Sequence, residues 1–188
     1  MSRPSNRPAI VDAALRVAER AGVGAITLDA VAAEAGLTKS GVIYHFPTKA
    51  ELLEGIHSEL AARWEQQLTD LLDAAGVDPA DATPRDRLAA YIRASAETAT
   101  AGEYLFVSDA ETTRANAEQW DAVSARWVAD APQPEPDGSF SPTAMRRFIA
   151  QLAADGLWSH AFVNGERMSP ELRTATAEAI IAQLDDDD

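Results

Sequence analysis

The sequence predicts an all-α protein, with a small three-helix N-terminal head on a larger helical body. Three observations carry that expectation. Residues 27–54 contain two short helix signals joined by a glycine turn, then the start of a third helix. From there, apolar residues recur at every fourth position, Leu52, Ile56, Leu60, Trp64, Leu68 and Leu72, which is the spacing of one buried helix face. Farther on, proline and glycine clusters divide the remainder into helix-length pieces. The expected division is a helix-turn-helix domain over 1–48 and a helical domain over 49–188.

The head can be justified element by element. Thr27 suits an N-cap, since its hydroxyl can accept from a free backbone N–H of the first turn. Leu28, Val31 and Ala32 form one face of the helix behind it. Gly36 suits the position after the helix, where a left-handed backbone costs glycine little. Thr38 caps a very short second helix, and Pro47 ends it. Thr48 and Glu51 have the capping-box spacing and start a third helix. Two helices around a glycine turn make a helix-turn-helix, whose second helix enters the DNA major groove.

Lys39 and Lys49 are the only lysines in the chain, and each follows a capping threonine. The positive end of a helix dipole disfavours a cation there by a few tenths of a kcal/mol. The same place attracts phosphate, which points to DNA. Gly41 replaces a better helix former in the first turn. It suits either a close approach to DNA or a tight contact with a neighbouring helix. Tyr44 and His45 point in different directions around the helix. Tyr44 either offers its hydroxyl to a phosphate or packs on the first helix, while His45 can approach the backbone or a base edge. Phe46 reads as core.

These residues carry a resemblance. Ala9-Ile10-Val11-Asp12-Ala13-Ala14, Gly22, Thr27 through Ala35, Gly36-Leu37-Thr38, Gly41-Val42-Ile43-Tyr44-His45-Phe46 and Lys49-Ala50-Glu51-Leu52-Leu53 resemble the N-terminal domain of the tetracycline-repressor (TetR) family of bacterial transcriptional regulators. The resemblance spans roughly the first third of the chain. Asp155-Gly156-Leu157-Trp158 is a weaker echo of one C-terminal subgroup. The resemblance implies phosphate contacts at Thr27, Lys39, Tyr44 and Lys49. It places Thr38, Ser40, Gly41 and His45 against DNA, some of them reading bases. It also implies a homodimer on a palindromic operator, with a small-molecule effector releasing it. The alternative is a ligand-independent or architectural DNA-binding protein.

Charge agrees with this division. The net charge is −14, yet residues 1–50 hold Arg3, Arg7, Arg16, Arg20, Lys39 and Lys49 against Asp12, Glu19, Asp29 and Glu34. The head therefore carries +2 and the remainder −16, a basic head on an acidic body. Arg3 and Arg7 precede the expected first helix, as a DNA-tracking arm or a solubilising tail. The absence of cysteine excludes disulfides and thiolate zinc sites. No signal-peptide core or membrane-length apolar run is present, so a cytoplasmic location with no membrane association is expected. No Ser/His/Asp ordering, phosphate loop or paired metal-ligating histidines argue for an enzyme, and no metal or cofactor is expected. His57, near Glu54 and Glu59, reads as a solvated helix residue.

The body follows. A long helix runs from Lys49 to Leu72, then a loop from Ala74 to Pro84. A helix from about Arg85 to Thr100 is followed by a break at Gly102 and a short helix holding Tyr104-Leu105-Phe106-Val107. Another helix carries Trp120, Val123 and Trp127. Ala131 to Pro142, with four prolines, is a loop. Two last helices cover about 143–163 and 170–184, divided at Asn164-Gly165, and Asp185 to Asp188 form a frayed tail. These two helices are the candidate dimer face, through Phe148, Leu152, Gly156, Leu172, Ala175, Thr176, Ala179, Ile180 and Gln183. Closing the monomer core is the other reading. The aromatic residues Trp64, Tyr91, Tyr104, Phe106, Trp120, Trp127 and Phe148, with Ser95, are candidates for a pocket that takes a small, largely apolar or aromatic effector. Thr98, Asn116 and Gln119 are further polar candidates. A packed core is the competing reading for each.

Overall fold

The computed structural model describes residues 6–97, 99–128, 130–165 and 168–184. Arg3, Thr98 and Asp185–Asp188 lie outside the described residues. Those described form ten α-helices and no strand: α1 (Arg7–Ala21), α2 (Leu28–Ala35), α3 (Lys39–His45), α4 (Lys49–Ala74), α5 (Pro84–Ala96), α6 (Ala101–Val107), α7 (Ala110–Ala115), α8 (Ala117–Trp127), α9 (Pro142–Asn164) and α10 (Pro170–Ala182). The all-α expectation holds.

Local chemistry sets most boundaries. Thr27, Thr38, Thr83, Thr100, Asp109, Ser141 and Ser169 each accept a backbone N–H of the first turn they cap. Thr48 and Glu51 exchange their two bonds at 3.1 Å, as the capping-box spacing predicts. Gly36 ends α2 with φ +65°. The helix expected over 85–100 starts at Pro84, where Thr83 and Asp86 form a capping box, and ends early, because Glu97 turns extended after Ala96.

The chain divides into two compact units, one of Met1–Arg63 with Thr100–Trp120, the other of Trp64–Ala99 with Asp121–Asp188. The first unit thus draws in residues 100–120, beyond the expected 1–48. Its core joins Ile10, Val11 and Ala14 of α1 to Val31, Val42, Phe46, Leu52, Ile56 and Phe106. Gly102 corrects the sequence reading. It is buried inside α6 and does not break the chain. A Cβ there would lie 2.4 Å from the Leu15 carbonyl oxygen, so glycine is what lets α6 press on α1.

The second unit packs Leu88, Ala89 and Ile92 of α5 against Ala150, Ala154 and Leu157 of α9 and Ala177 and Ile181 of α10. Arg173 is buried, 3% exposed, and donates to the carbonyls of Ser95, Ala96 and Glu97 at 2.5–3.0 Å. It satisfies the carbonyl end of α5, where the dipole favours a cation. Arg93 donates twice to the Glu178 carboxylate, at 2.7 and 2.9 Å.

Candidate nucleic-acid interface

Helix α3 is two-sided. Val42 and the following Phe46 are buried in the first unit's core, while Lys39, Ser40, Ile43 and Tyr44 are exposed. Tyr44 is 84% exposed, which removes the reading that it packs on α1. Its ring meets His45 edge-on at 5.1 Å. Thr38 caps α3 by accepting from Gly41, and its hydroxyl lies 3.1 Å from that of Ser40. A Cβ at Gly41 would meet only Thr38 Oγ1 at 3.2 Å and Leu37 Cβ at 3.9 Å. No neighbouring helix therefore demands that glycine. Thr27 caps α2 and is exposed.

The two lysines differ. Lys39 donates to Asp29, in the first turn of α2, at 2.9 Å. That carboxylate offsets the unfavourable helix-start position of Lys39, and Lys49 has no such partner among the described residues. Lys49 opens α4, is exposed, and has no ion pair among the described residues. Arg7 is corrected. It is the first residue of α1, its guanidinium lies 4.3 Å from the Phe46 ring centre, and it donates to the His45 carbonyl. A residue held in this way braces α3 and is not a flexible arm. Arg16 and Arg20 both hold Glu34 at 2.7 Å, which keeps its carboxyl below the usual range.

The candidate effector residues fall in both compact units: Tyr104, Phe106 and Trp120 in the first, Trp64, Tyr91, Ser95, Trp127 and Phe148 in the second. Phe106 is fully buried core. The Ser95 hydroxyl donates to the Tyr91 carbonyl within α5. Trp127 lies under Arg87, 5.7 Å from its ring. Asn116 donates to the Thr112 carbonyl, and Gln119 Oε1 is buried without a hydrogen-bond partner among the described residues. The Trp64 ring meets Tyr91 at 5.8 Å and 90°, and the Tyr91 hydroxyl donates to Asp155 at 2.5 Å. Sequence reading missed Asp155 as a partner.

His57 also corrects the sequence reading. It is fully buried, not solvated, against Phe106 and Trp120. On the candidate dimer face, Leu152 and Leu172 are 52% and 53% exposed, with Gly156, Ala175, Ala179 and Gln183 also exposed. Phe148, Thr176 and Ile180 are half-buried, and Ile180 packs on the second unit's core.

A helix-turn-helix in an all-α chain, with its second helix turned outward, defines the class of helix-turn-helix proteins. Comparison with known proteins narrows the class. Residues 10–56 match the model of bacterial regulatory proteins of the tetR family, and residues 85–185 match a tetracyclin repressor-like C-terminal domain. The second match covers more than half of the chain, and the chain belongs to the TetR family. The transcriptional regulator BetI of Rhizobium meliloti is 38% identical over 92 residues, 49% of this chain and 42% of BetI. The matched stretch is therefore less than half of that relative's length. A transcriptional regulator from Rhodococcus sp. Rha1 shares the fold, with TM-score 0.64, 19% identity and 95% of each chain covered. So does NalD, the secondary repressor of the MexAB-OprM multidrug efflux pump in Pseudomonas aeruginosa. Its TM-score is 0.58 at 20% identity, over 97% of this chain and 96% of NalD. No helix among the described residues is long and apolar enough to cross a membrane.

Proposed function

We propose that this chain is a sequence-specific transcriptional repressor that binds a palindromic operator as a homodimer and is released by a small molecule. One observation carries the DNA reading above the others. Tyr44 is 84% exposed on a helix whose other side is core, with exposed Lys39 and Ser40 on the same helix. A large aromatic held that far into solvent, among cationic and hydroxyl groups, suits a partner surface of phosphates and base edges. Thr27, Lys39, Tyr44 and Lys49 are assigned to phosphates; Thr38, Ser40, Gly41 and His45 lie against the groove. Family membership supports the dimer and the effector, as do the exposed leucines of α9 and α10. A cytoplasmic location goes with this function.

A footprint on operator DNA tests the reading. Protection should cover two symmetric half-sites about one helical turn, or a multiple, apart. Lys49→Ala should weaken binding to every sequence and lower the salt slope by about one. Substitutions at Ser40 or His45 should change base preference at single positions, by about 1–3 kcal/mol where contacts are good. Equal affinity for operator and random DNA would favour the architectural alternative.

A further inference from the structure

Asp155 is a half-buried carboxylate on α9 with one hydrogen-bond donor, the Tyr91 hydroxyl on Oδ1. Oδ2 has no donor among the described residues. Oδ2 is open to solvent, and a half-buried carboxylate, only partly hydrated, ordinarily gains a cation or further donors. No arginine acts on Asp155 among the described residues, and three of the second unit's arginines are engaged elsewhere, Arg93 by Glu178, Arg126 by Glu65 and Arg173 by three carbonyls. Tyr91 joins this acid to a second aromatic ring, Trp64, which stands perpendicular to the tyrosine at 5.8 Å.

We propose that Trp64, Tyr91 and Asp155 bind a lipophilic organic cation, a quaternary or tertiary ammonium carrying an aromatic or branched apolar group. This inference deepens the effector reading above and rests on it. Ring faces attract cations, tryptophan most strongly, and need no hydrogen-bond donor from the ligand. The ammonium supplies Asp155 with the cation that no described residue gives it. A tertiary ammonium gains one thing more, an N–H for Oδ2. An anion is disfavoured by Asp155 and by the −16 carried outside residues 1–50. Burial holds the Asp155 carboxyl above its usual range, with only the Tyr91 bond opposing it, as expected where no cation is near.

Calorimetry on the full chain without DNA tests this, with phenyltrimethylammonium and its uncharged isostere tert-butylbenzene as probes. Salt near 0.3 M screens attraction to the acidic surface. The expected result is one ammonium per chain, bound about tenfold or more tighter than the isostere, as cation–π and charge attraction together allow. Asp155→Asn keeps the size and the acceptor for Tyr91, and should abolish the preference for the cation. Trp64→Leu should weaken the cation more than the isostere, and gives a second readout if the asparagine variant does not fold. Equal binding of the two probes, or an unchanged preference in either folded variant, overturns the proposal. Release of operator by the ammonium, undiminished in Asp155→Asn, would sink this site and leave the effector reading. Binding that depends on Asp155 but never alters operator affinity would sink the effector reading and leave the site.

Discussion

The indole N–H of Trp120 donates to Nδ1 of His57 at 3.0 Å, and this one bond dictates the state of the imidazole. Indole is a donor only, so Nδ1 must carry its lone pair and the proton must sit on Nε2. Nε2 is itself buried with no hydrogen-bond partner among the described residues. A second proton would meet the indole N–H head-on and bring charge into a buried place beside Phe106.

Burial lowers the His57 pKa from 6.5 to about 4, against a small upward pull from Asp109. The unfolded chain therefore takes up this proton near pH 6.5 and the folded chain only near pH 4. The contribution to stability is complete above pH 6.5 and is lost as pH falls from there to 4, at about 1.4 kcal/mol per pKa unit. His57→Asn keeps an acceptor near the Nδ1 position and does not titrate. The difference between wild-type and variant melting temperatures should therefore change across that window. Parallel profiles would remove His57 from the account.

Arg173→Met should lower unfolding free energy by about 2–4 kcal/mol in a urea titration, because three α5 carbonyls lose a charged donor. Arg173→Lys should recover only part, since an ammonium cannot reproduce the guanidinium's spread of donors. A methionine variant as stable as wild type would show that those carbonyls find other partners.

Gly102→Ala should destabilise despite alanine's helix propensity. The gain is about 1 kcal/mol. The added Cβ meets a backbone oxygen that no rotamer change can move, and overpacking of this kind costs about 1–3 kcal/mol. A net loss near 1 kcal/mol is expected from the denaturation midpoint. A more stable variant would mean that α6 does not need its close approach to α1.

Leu152→Arg and Leu172→Arg should leave helix content unchanged, as both side chains are more than half exposed. Each should shift the sedimenting mass from about twice the 20.1 kDa chain mass toward one chain, and lower operator affinity with it. Dimers that persist in both variants would move the interface away from α9 and α10.

Much of this was legible because it is local. Thr27, Gly36, Thr38 and the Thr48–Glu51 pair act on backbone within four residues, so their roles can be read along the chain. The every-fourth stripe of α4 likewise announced a helix before any partner was known. Burial that depends on a distant helix could not be read. Gly102 resembled a helix break because nothing in sequence brings Leu15 beside it. His57 looked solvated because Glu54 and Glu59 lie near it on its own helix, whereas Phe106 and Trp120 arrive from about fifty and sixty residues later.

The sequence by itself determined an all-α chain, its caps, its helix-turn-helix and the charge contrast between head and body. These follow from short-range hydrogen bonding, periodicity and counting. Only the tertiary structure decided which polar groups meet and how far each is buried: Lys39 with Asp29 at the surface, Asp155 with Tyr91 half-buried, Arg173 with the end of α5 and His57 with Trp120 in the interior. The reason is physical. A charge or a ring nitrogen takes its chemistry from dielectric and from neighbours within a few ångströms, and packing assembles those neighbours from remote parts of the chain.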